Sequence, residues 1–453
     1  MTDQGTFDIH PDAKRNFDEK ASLLATSLTP DPQVFDDSQR FPIAPYVTEV
    51  IGKDDIVPES SVWSRMDHSG REYARYFQVG ERAFALEGET YSDFRRLAEN
   101  MQRTEALRDK ISLDTVIDLL TEWLRATRKG QSTLTATEFI LSKCPAMVRE
   151  YTVLLPLYGL FIEEPFDVGR VALRTVTEQE INGWVTAWTK EHPEHAESFR
   201  QSGQKWKRDL QGKAAASITL AAEPKRAYEI ARREAEDALA MLQVFSVAML
   251  VPEARCYWTL LGSERVESFA YFLLQDDTLK NGQSGFYRYR NTVSAISKPI
   301  LNDLQARGLD LASELLRLQK RNDFQEHLLD ALLTYSRAAL QDGIAEKLLY
   351  ILVALESLLL RDDKEAVQQN LGERIAFTIG GNLDERKRVI KVTKDAYNLR
   401  SRFMHHGADV DDLKVMQEFM SYANVFFERA LRAINLFSSR LDFLDTLENR
   451  KLE

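Results

Sequence analysis

Apolar positions follow two regimes along the chain. Beyond about residue 300 they recur every three or four residues almost without interruption, while Gly and Pro become sparse. That period predicts helices near 302–320, 323–341, 344–361, 364–379, 384–405 and 411–438. The connections left between them are short, which favours antiparallel neighbours in a bundle. Before 300 the pattern is mixed. "EYTVLLPLYGLFIEEPFDVGRVALRTVT" (150–177) is dense in β-branched and aromatic residues and is punctuated by Pro156, Gly159, Pro165 and Gly169, so it predicts paired strands. "SITLAAE", "CYWTLLG", "VESFAYFLLQ" and "GFYRYRNTVS" predict further strands. "TVIDLLTEWLRATRKG" predicts a helix stopped at Gly130, and "PKRAYEIARREAEDALAMLQVFSVAMLV" one that opens on Pro224. Residues 1–60, rich in Pro, Asp and Ser, predict an irregular arm, and the polar stretch 188–209 an exposed loop or insertion. The expected fold class is therefore an α+β N-terminal region followed by an all-α helical bundle, divided into an arm (1–60), an α+β region (61–300) and the bundle (301–453).

The bulk composition narrows the function. At 453 residues the chain exceeds one ordinary core. Its net charge of −11 excludes a globally basic nucleic-acid binder, so any such surface must be local. Cys144 and Cys256 form no disulfide framework and no zinc spacing; they read as core thiols in a reducing cytosol. The first twenty residues carry acids and no apolar run, and no stretch of about 18 apolar residues occurs, so neither a signal peptide nor a membrane helix is expected. The expected location is cytoplasmic. No phosphate-binding loop, dinucleotide fingerprint, zinc-protease motif or nucleophile elbow is present, and no cofactor is expected.

One stretch carries candidate chemistry, "NLRSRFMHHGAD" (398–409). Val389, Val392, Ala396, Leu399 and Phe403 are spaced 3, 4, 3, 4 and form one apolar stripe. Gly407 then stops the helix, and "DVDD" (409–412) restarts the chain at the next N-terminus. Arg400 lies beside the stripe, while Ser401 and His405, four apart, share a face. Arg400 and His405 stand roughly 140° apart around a straight helix, so they converge only if its end unwinds or Arg400 reaches round. Together, a guanidinium and an imidazole suit phosphodiester chemistry. The first grips a phosphate with two parallel hydrogen bonds, and the second moves a proton near neutral pH. Arg386, Lys387, Arg388, Lys391, Lys394, Arg400 and Arg402 face only Asp395 as an acid between 386 and 402, a local positive stripe in an acidic protein. The plainer reading is that late basic residues complement the helix dipole and that a terminal His is solvated.

A second feature is Glu356 inside "LLYILVALESLLLRD" (348–362). A carboxylate in so apolar a run costs several kcal/mol unless paired, and Arg400 or Arg374 is expected to answer it; otherwise Glu356 lies on an exposed stripe. Three further patterns are weaker. "FYRYR" (286–290) alternates aromatics with arginines, as a strand that stacks bases would, but fits an ordinary sheet strand better. "HPEH" (192–195) reads as a solvated loop. His405, His406, Asp409 and Asp411 read as a helix cap rather than a metal site.

"YNLRSRFMHHG", following "VALESLLL" and "LGERIAFTIGG", resembles the Apea-like HEPN domains, over roughly residues 310–440. These are helical bundles with an Arg-x4–6-His motif, often with a polar residue after the arginine. Arg400, Ser401 and His405 match it at the x4 spacing, and His406 would give x5. The resemblance implies a metal-independent ribonuclease that acts as a homodimer whose two Arg/His pairs face one cleft at the dimer interface, with Arg400 clamping the scissile phosphate, His405 as general acid or base while the RNA 2′-hydroxyl attacks and leaves a 2′,3′-cyclic phosphate, and Ser401 orienting the histidine or touching phosphate. His406 and Glu356 would support them, and Arg402, Lys394 and Lys391 would hold RNA. Many such proteins act in bacterial antiviral defence by abortive infection, which implies an activating trigger of phage origin and gives 61–300 the role of sensor or regulator. Members modified by a nucleotidyltransferase carry a Tyr two residues after the His; Gly407 stands there, so that control is not implied. The alternative is a non-catalytic module that dimerises or binds RNA for a partner enzyme.

Overall fold

The computed structural model describes residues 7–28, 30, 62–80, 82–263, 266–275, 278–288, 293–362, 364–406 and 410–452, with backbone alone at 63, 266–275, 278–288, 406 and 452. The chain is mixed, with strands among helices up to residue 296 and helices alone from 298 onward among the described residues. It forms two compact units, Met1–Thr152 with Thr219–Ile230, and Val153–Ile218 with Ala231–Glu453. Secondary structure thus changes character near 300, as expected, but the compact units are cut at other places than 60 and 300.

In the first unit, α1 (Pro11–Ser27) precedes an antiparallel meander of β1 (Val62–Met66), β2 (Glu72–Val79) and β3 (Arg82–Leu86), then α2 (Gly88–Gln102), α3 (Leu113–Arg128) and α4 (Ala136–Met147). Residues 11–27 are therefore a helix, not part of an irregular arm; 31–61 lie outside the described residues. The reason is visible in the packing. Phe17, Ala21 and Leu24 recur on one face and bury against Phe77, Phe84, Leu97, Leu120 and Ile140. Asp18 on the same helix accepts the Thr137 N–H (2.9 Å) at the start of α4, where the helix dipole favours an anion. The predicted stop of α3 is Gly130 at φ +68°, a conformation natural to glycine.

The second unit begins within β4 (Arg149–Tyr158). The chain continues through β5 (Leu160–Ile162), β6 (Phe166–Val168), β7 (Val171–Thr175), α5 (Glu178–Glu191), α6 (Ala196–Leu210), β8 (Ala214–Ala222), α7 (Pro224–Val244) and β9 (Thr259–Leu260), the end of β8 and the start of α7 (219–230) belonging to the first unit. Strands β6-β7-β8-β4-β9 form one sheet in that order. The stretch 188–209, expected as a loop, is instead the bulk of a helical hairpin. Its few apolar residues are large and well placed: Trp184, Trp206 and Leu210 pack with Ile181 against Val176 and Ala215. Helices α5 and α6 approach so closely that a Cβ at Gly203 would clash with the Val185 side chain. A long hairpin, β10 (Val266–Gln275) and β11 (Thr278–Arg288), and the short β12 (Ser294–Ile296) follow.

Helices α8 (Lys298–Arg307), α9 (Leu309–Arg317), α10 (Asp323–Ser336), α11 (Ile344–Leu359), α12 (Val367–Ile379), α13 (Leu383–His406), α14 (Leu413–Arg432) and α15 (Arg440–Leu452) complete the unit. The single helix expected over 302–320 is two, because Gly308 at φ +125° breaks it. Leu348, Ile351, Leu352, Leu355, Leu371, Ile375, Val389, Ala396, Phe419, Phe426 and Phe427 are buried. Two cations are buried with them. Lys347 donates to the carbonyls of Ala248 (3.1 Å), Val251 (3.5 Å) and Ala254, and burial pulls its amine down to about 8. Arg374 donates to Glu365 (2.7 and 2.8 Å), to Glu448 (3.0 Å) and to the Leu359 carbonyl. It therefore joins α12 to α15 and to the turn after α11.

Arg374→Ala leaves two carboxylates facing an empty site and is expected to cost about 3–5 kcal/mol, read as a lower urea midpoint. The Arg374 hydrogen bond holds the Glu365 carboxyl below the ordinary glutamate value. Burial raises Glu448, but hydrogen bonds from Lys451 and Arg374 outweigh it and the net direction is also down. Their contribution is complete above the ordinary value near 4.5 and is lost as pH falls through the lower folded values. Wild type is expected to lose stability faster below that value than Arg374→Ala does; parallel pH profiles of the midpoint would contradict the assignment.

Candidate functional site

Helix α13 decides the geometry of the candidate residues. Asn382 starts it by accepting the Glu385 N–H (3.0 Å), while Glu385 accepts the Gly381 N–H (2.8 Å). It runs unbroken as α-helix to His406; Gly407, Ala408 and Asp409 lie outside the described residues. The next helix restarts at Asp412, whose side chain accepts the Val415 N–H (3.0 Å), as "DVDD" led one to expect. Val389, Val392, Ala396 and Leu399 are buried as predicted, and Thr393 and Tyr397 are buried beside them.

At about 100° per residue, the exposed residues fall on one line. Lys387, Lys391, Lys394, Asn398, Ser401, Arg402 and His405 are all exposed and lie within about 60° of each other's direction on either side of that line. Among the described residues, Lys387, Lys391 and Lys394 enter no ion pair. The other cations of the stripe are engaged. Arg388 pairs with Glu418, Arg402 with Asp411 (3.1 Å), and the Arg386 guanidinium lies 4.5 Å from the Phe377 ring centre. The positive surface is thus narrower than the sequence implied, and Arg402, expected to hold RNA, is shared with Asp411.

Arg400 faces elsewhere. It is half-buried on the inward arc, between the directions of Ala396 and Tyr397. The Tyr397 hydroxyl donates to Glu356 Oε1 on α11, and Arg400 Nη1 donates to that same hydroxyl oxygen at 3.4 Å. The guanidinium carbon is 5.3 Å from the Tyr397 ring centre. Glu356 is therefore answered, as its apolar setting requires, but through a tyrosine that the sequence reading missed, with Arg400 next in the chain. Arg374, the other candidate, is committed to Glu365 and Glu448. Burial, and then the bond to Glu356, raise the Tyr397 phenol above its ordinary value, so it stays a neutral donor. Arg400 Nε is shielded from water and has no hydrogen-bond partner. Of its five N–H donors only one is used within the described residues. A buried donor without a partner calls for an acceptor, and an anion supplies one.

Neither route by which one chain could bring Arg400 and His405 together is taken: the helix end stays wound and Arg400 turns back toward Tyr397. Ser401 and His405 do share a face. The side chain of His406 lies outside the described residues. "HPEH" forms a tight turn between α5 and α6, with exposed His192 and His195 near Glu194 (3.6 and 3.8 Å). No group of three or more metal-ligating side chains occurs among the described residues. "FYRYR" falls on β11 and beyond, where side chains lie outside the described residues.

No family model, no curated protein and no solved structure matches the chain.

The relay makes a direct prediction. Tyr397→Phe leaves Glu356 half-buried without its donor and is expected to cost about 1–3 kcal/mol, whereas Glu356→Gln, which still accepts from the phenol, is expected to cost less. Equal urea midpoints for wild type and Tyr397→Phe would mean that no such relay holds α11 to α13.

Proposed function

We propose that the protein is a metal-independent endoribonuclease of the HEPN type that works as a homodimer in bacterial defence against phage. The observation that carries this reading is the Arg400 guanidinium: anchored through Tyr397 to Glu356, it keeps a buried Nε with no hydrogen-bond partner among the described residues, on the helix that also presents His405 and three lysines that enter no ion pair there. Arg400 holds the scissile phosphate and stabilises its growing charge. The RNA 2′-hydroxyl attacks phosphorus, the bond to the 5′-oxygen breaks, and a 2′,3′-cyclic phosphate and a 5′-hydroxyl remain. His405, with His406 as its neighbour, takes the proton of the attacking hydroxyl or returns one to the leaving oxygen. Ser401, one turn before His405 on the same face, orients it or meets phosphate. Lys391 and Lys394 bind the RNA backbone, and Arg402 does so in exchange for Asp411.

Two features support a dimer. On α11, Val353 is 46% exposed, an apolar residue on the same outward stripe as Glu346 and Ser357. Met404 lies on the inward arc of α13 and is nevertheless 58% exposed. A second copy seated on either would cover it. No helix of the described residues is long and apolar enough to cross a membrane. A second reading, a non-catalytic RNA-binding or dimerising module, is favoured by one observation: within one chain Arg400 and His405 face different directions.

Purified protein mixed with structured and unstructured RNA is expected to cut it equally well with and without EDTA. His405→Ala is expected to reduce the rate by about 10²–10⁴-fold with dimerisation unchanged in light scattering. RNA that stays intact with wild type, or is cut as fast by His405→Ala, would leave the binding module as the better account.

A further inference from the structure

The exposed line of α13 changes chemistry along its length. From the start of the helix it carries Lys387, Lys391, Lys394, Asn398, Ser401 and His405. All of them lie within about 60° of the Asn398 direction, and Lys387, Lys391 and His405 within about 20°. At about 1.5 Å per residue the line is about 27 Å long, and Asn398 stands about 10.5 Å along it from His405. Three ammonium groups therefore precede one carboxamide, and a hydroxyl and an imidazole follow it.

These groups recognise different parts of a nucleic acid. An ammonium is a point charge that any phosphate satisfies, so Lys387, Lys391 and Lys394 carry no sequence information. A carboxamide is neutral and holds a donor and an acceptor side by side. That pair matches the edge of adenine, where the N6 amino group donates and N7 accepts. Unstacked bases of single-stranded RNA present that edge freely. Asn398 is available for such a contact. It is exposed, and its amide makes no hydrogen bond among the described residues. It also sits well inside α13, where asparagine is a poor helix former. No contact among the described residues gives the fold a use for it there.

We infer that Asn398 reads an adenine close to the cut, while the three lysines hold the strand without regard to its sequence. The separation from His405 corresponds to at most about three nucleotides, since a stacked strand advances about 3.4 Å per nucleotide. This rests on the nuclease reading above and adds to it what distinguishes one RNA site from another.

Random-sequence RNA cut by the purified protein, with both fragment ends sequenced, tests this. Wild type is expected to enrich adenine at one position within about three nucleotides of the cut. Asn398→Ala is expected to slow cutting at those sites by about 5- to 150-fold, to the level of other sites, so that the enrichment disappears. Alanine is the better helix former at this exposed position, so the variant's urea midpoint is expected to match or exceed that of wild type. Lys391→Ala is expected to slow all sites alike and to keep the enrichment. Asn398→Asp, an acceptor only, is expected to move the preference from adenine toward cytosine, whose N4 amino group donates. Adenine enrichment that survives in Asn398→Ala or Asn398→Asp would overturn the inference while leaving the nuclease standing. So would wild type that enriches no base, or another base, in that window, or an enrichment that Lys391→Ala erases. RNA left intact by wild type would remove the nuclease reading itself, and the inference with it.

Discussion

A carboxylate set in the apolar run of α11 must be answered, and the answer fixes the rest of the site. Glu356 is met by the Tyr397 hydroxyl, and the same oxygen accepts from Arg400. Leaving such a carboxylate unpaired costs far more than the modest net gain of one hydrogen bond. The need to pair Glu356 therefore holds Tyr397 in place, and Tyr397 holds the guanidinium through one Nη, with the guanidinium carbon 5.3 Å from the ring centre. The arginine that results is oriented but not neutralised: no carboxylate touches it directly among the described residues. It differs in this from Arg374, whose charge is shared with Glu365 and Glu448. The same residue type is thus used once to tie helices together and once to present unused donors.

The other constraint is the rigidity of α13. A helix without a break assigns every side chain a direction, and this one separates an inward arc containing Ala396, Tyr397 and Arg400 from an outward line containing the lysines, Ser401 and His405. The proposed chemistry needs members of both sets at one phosphate.

Much of this was legible in the sequence, for identifiable reasons. Three- and four-residue spacing located α10 to α13 within a few residues, because each helix buries one face. The buried stripe of α13 was readable for the same reason. Gly308 split a predicted helix because spacing cannot distinguish a helix that turns at a glycine from one that passes through it. Helices α5 and α6 were hidden by their charge: Trp184 and Trp206 bury large areas with few residues, so a low apolar count concealed a real packing face. Helix α1 was masked by the Pro-rich sequence that follows it. Glu356 announced its need for a partner but not which partner, since spacing does not show that a tyrosine three residues before Arg400 would be the nearest donor. Arg402 looked free because Asp411 lies nine residues on, across a break. The Arg-x4-His spacing suggested a site, yet that spacing on an intact helix is also what sends the two groups apart.

The chemistry of the RNA ends tests the central claim most directly. In the proposed reaction, attack by the 2′-hydroxyl, guided by Arg400 and served by His405, leaves a 2′,3′-cyclic phosphate on one fragment and a 5′-hydroxyl on the other, whatever RNA is cut. Mass spectrometry of fragments produced by the purified protein in EDTA is expected to show that pair of ends. Fragments carrying a 3′-hydroxyl and a 5′-phosphate, which arise when water is the nucleophile and the other bond to phosphorus breaks, would contradict the account.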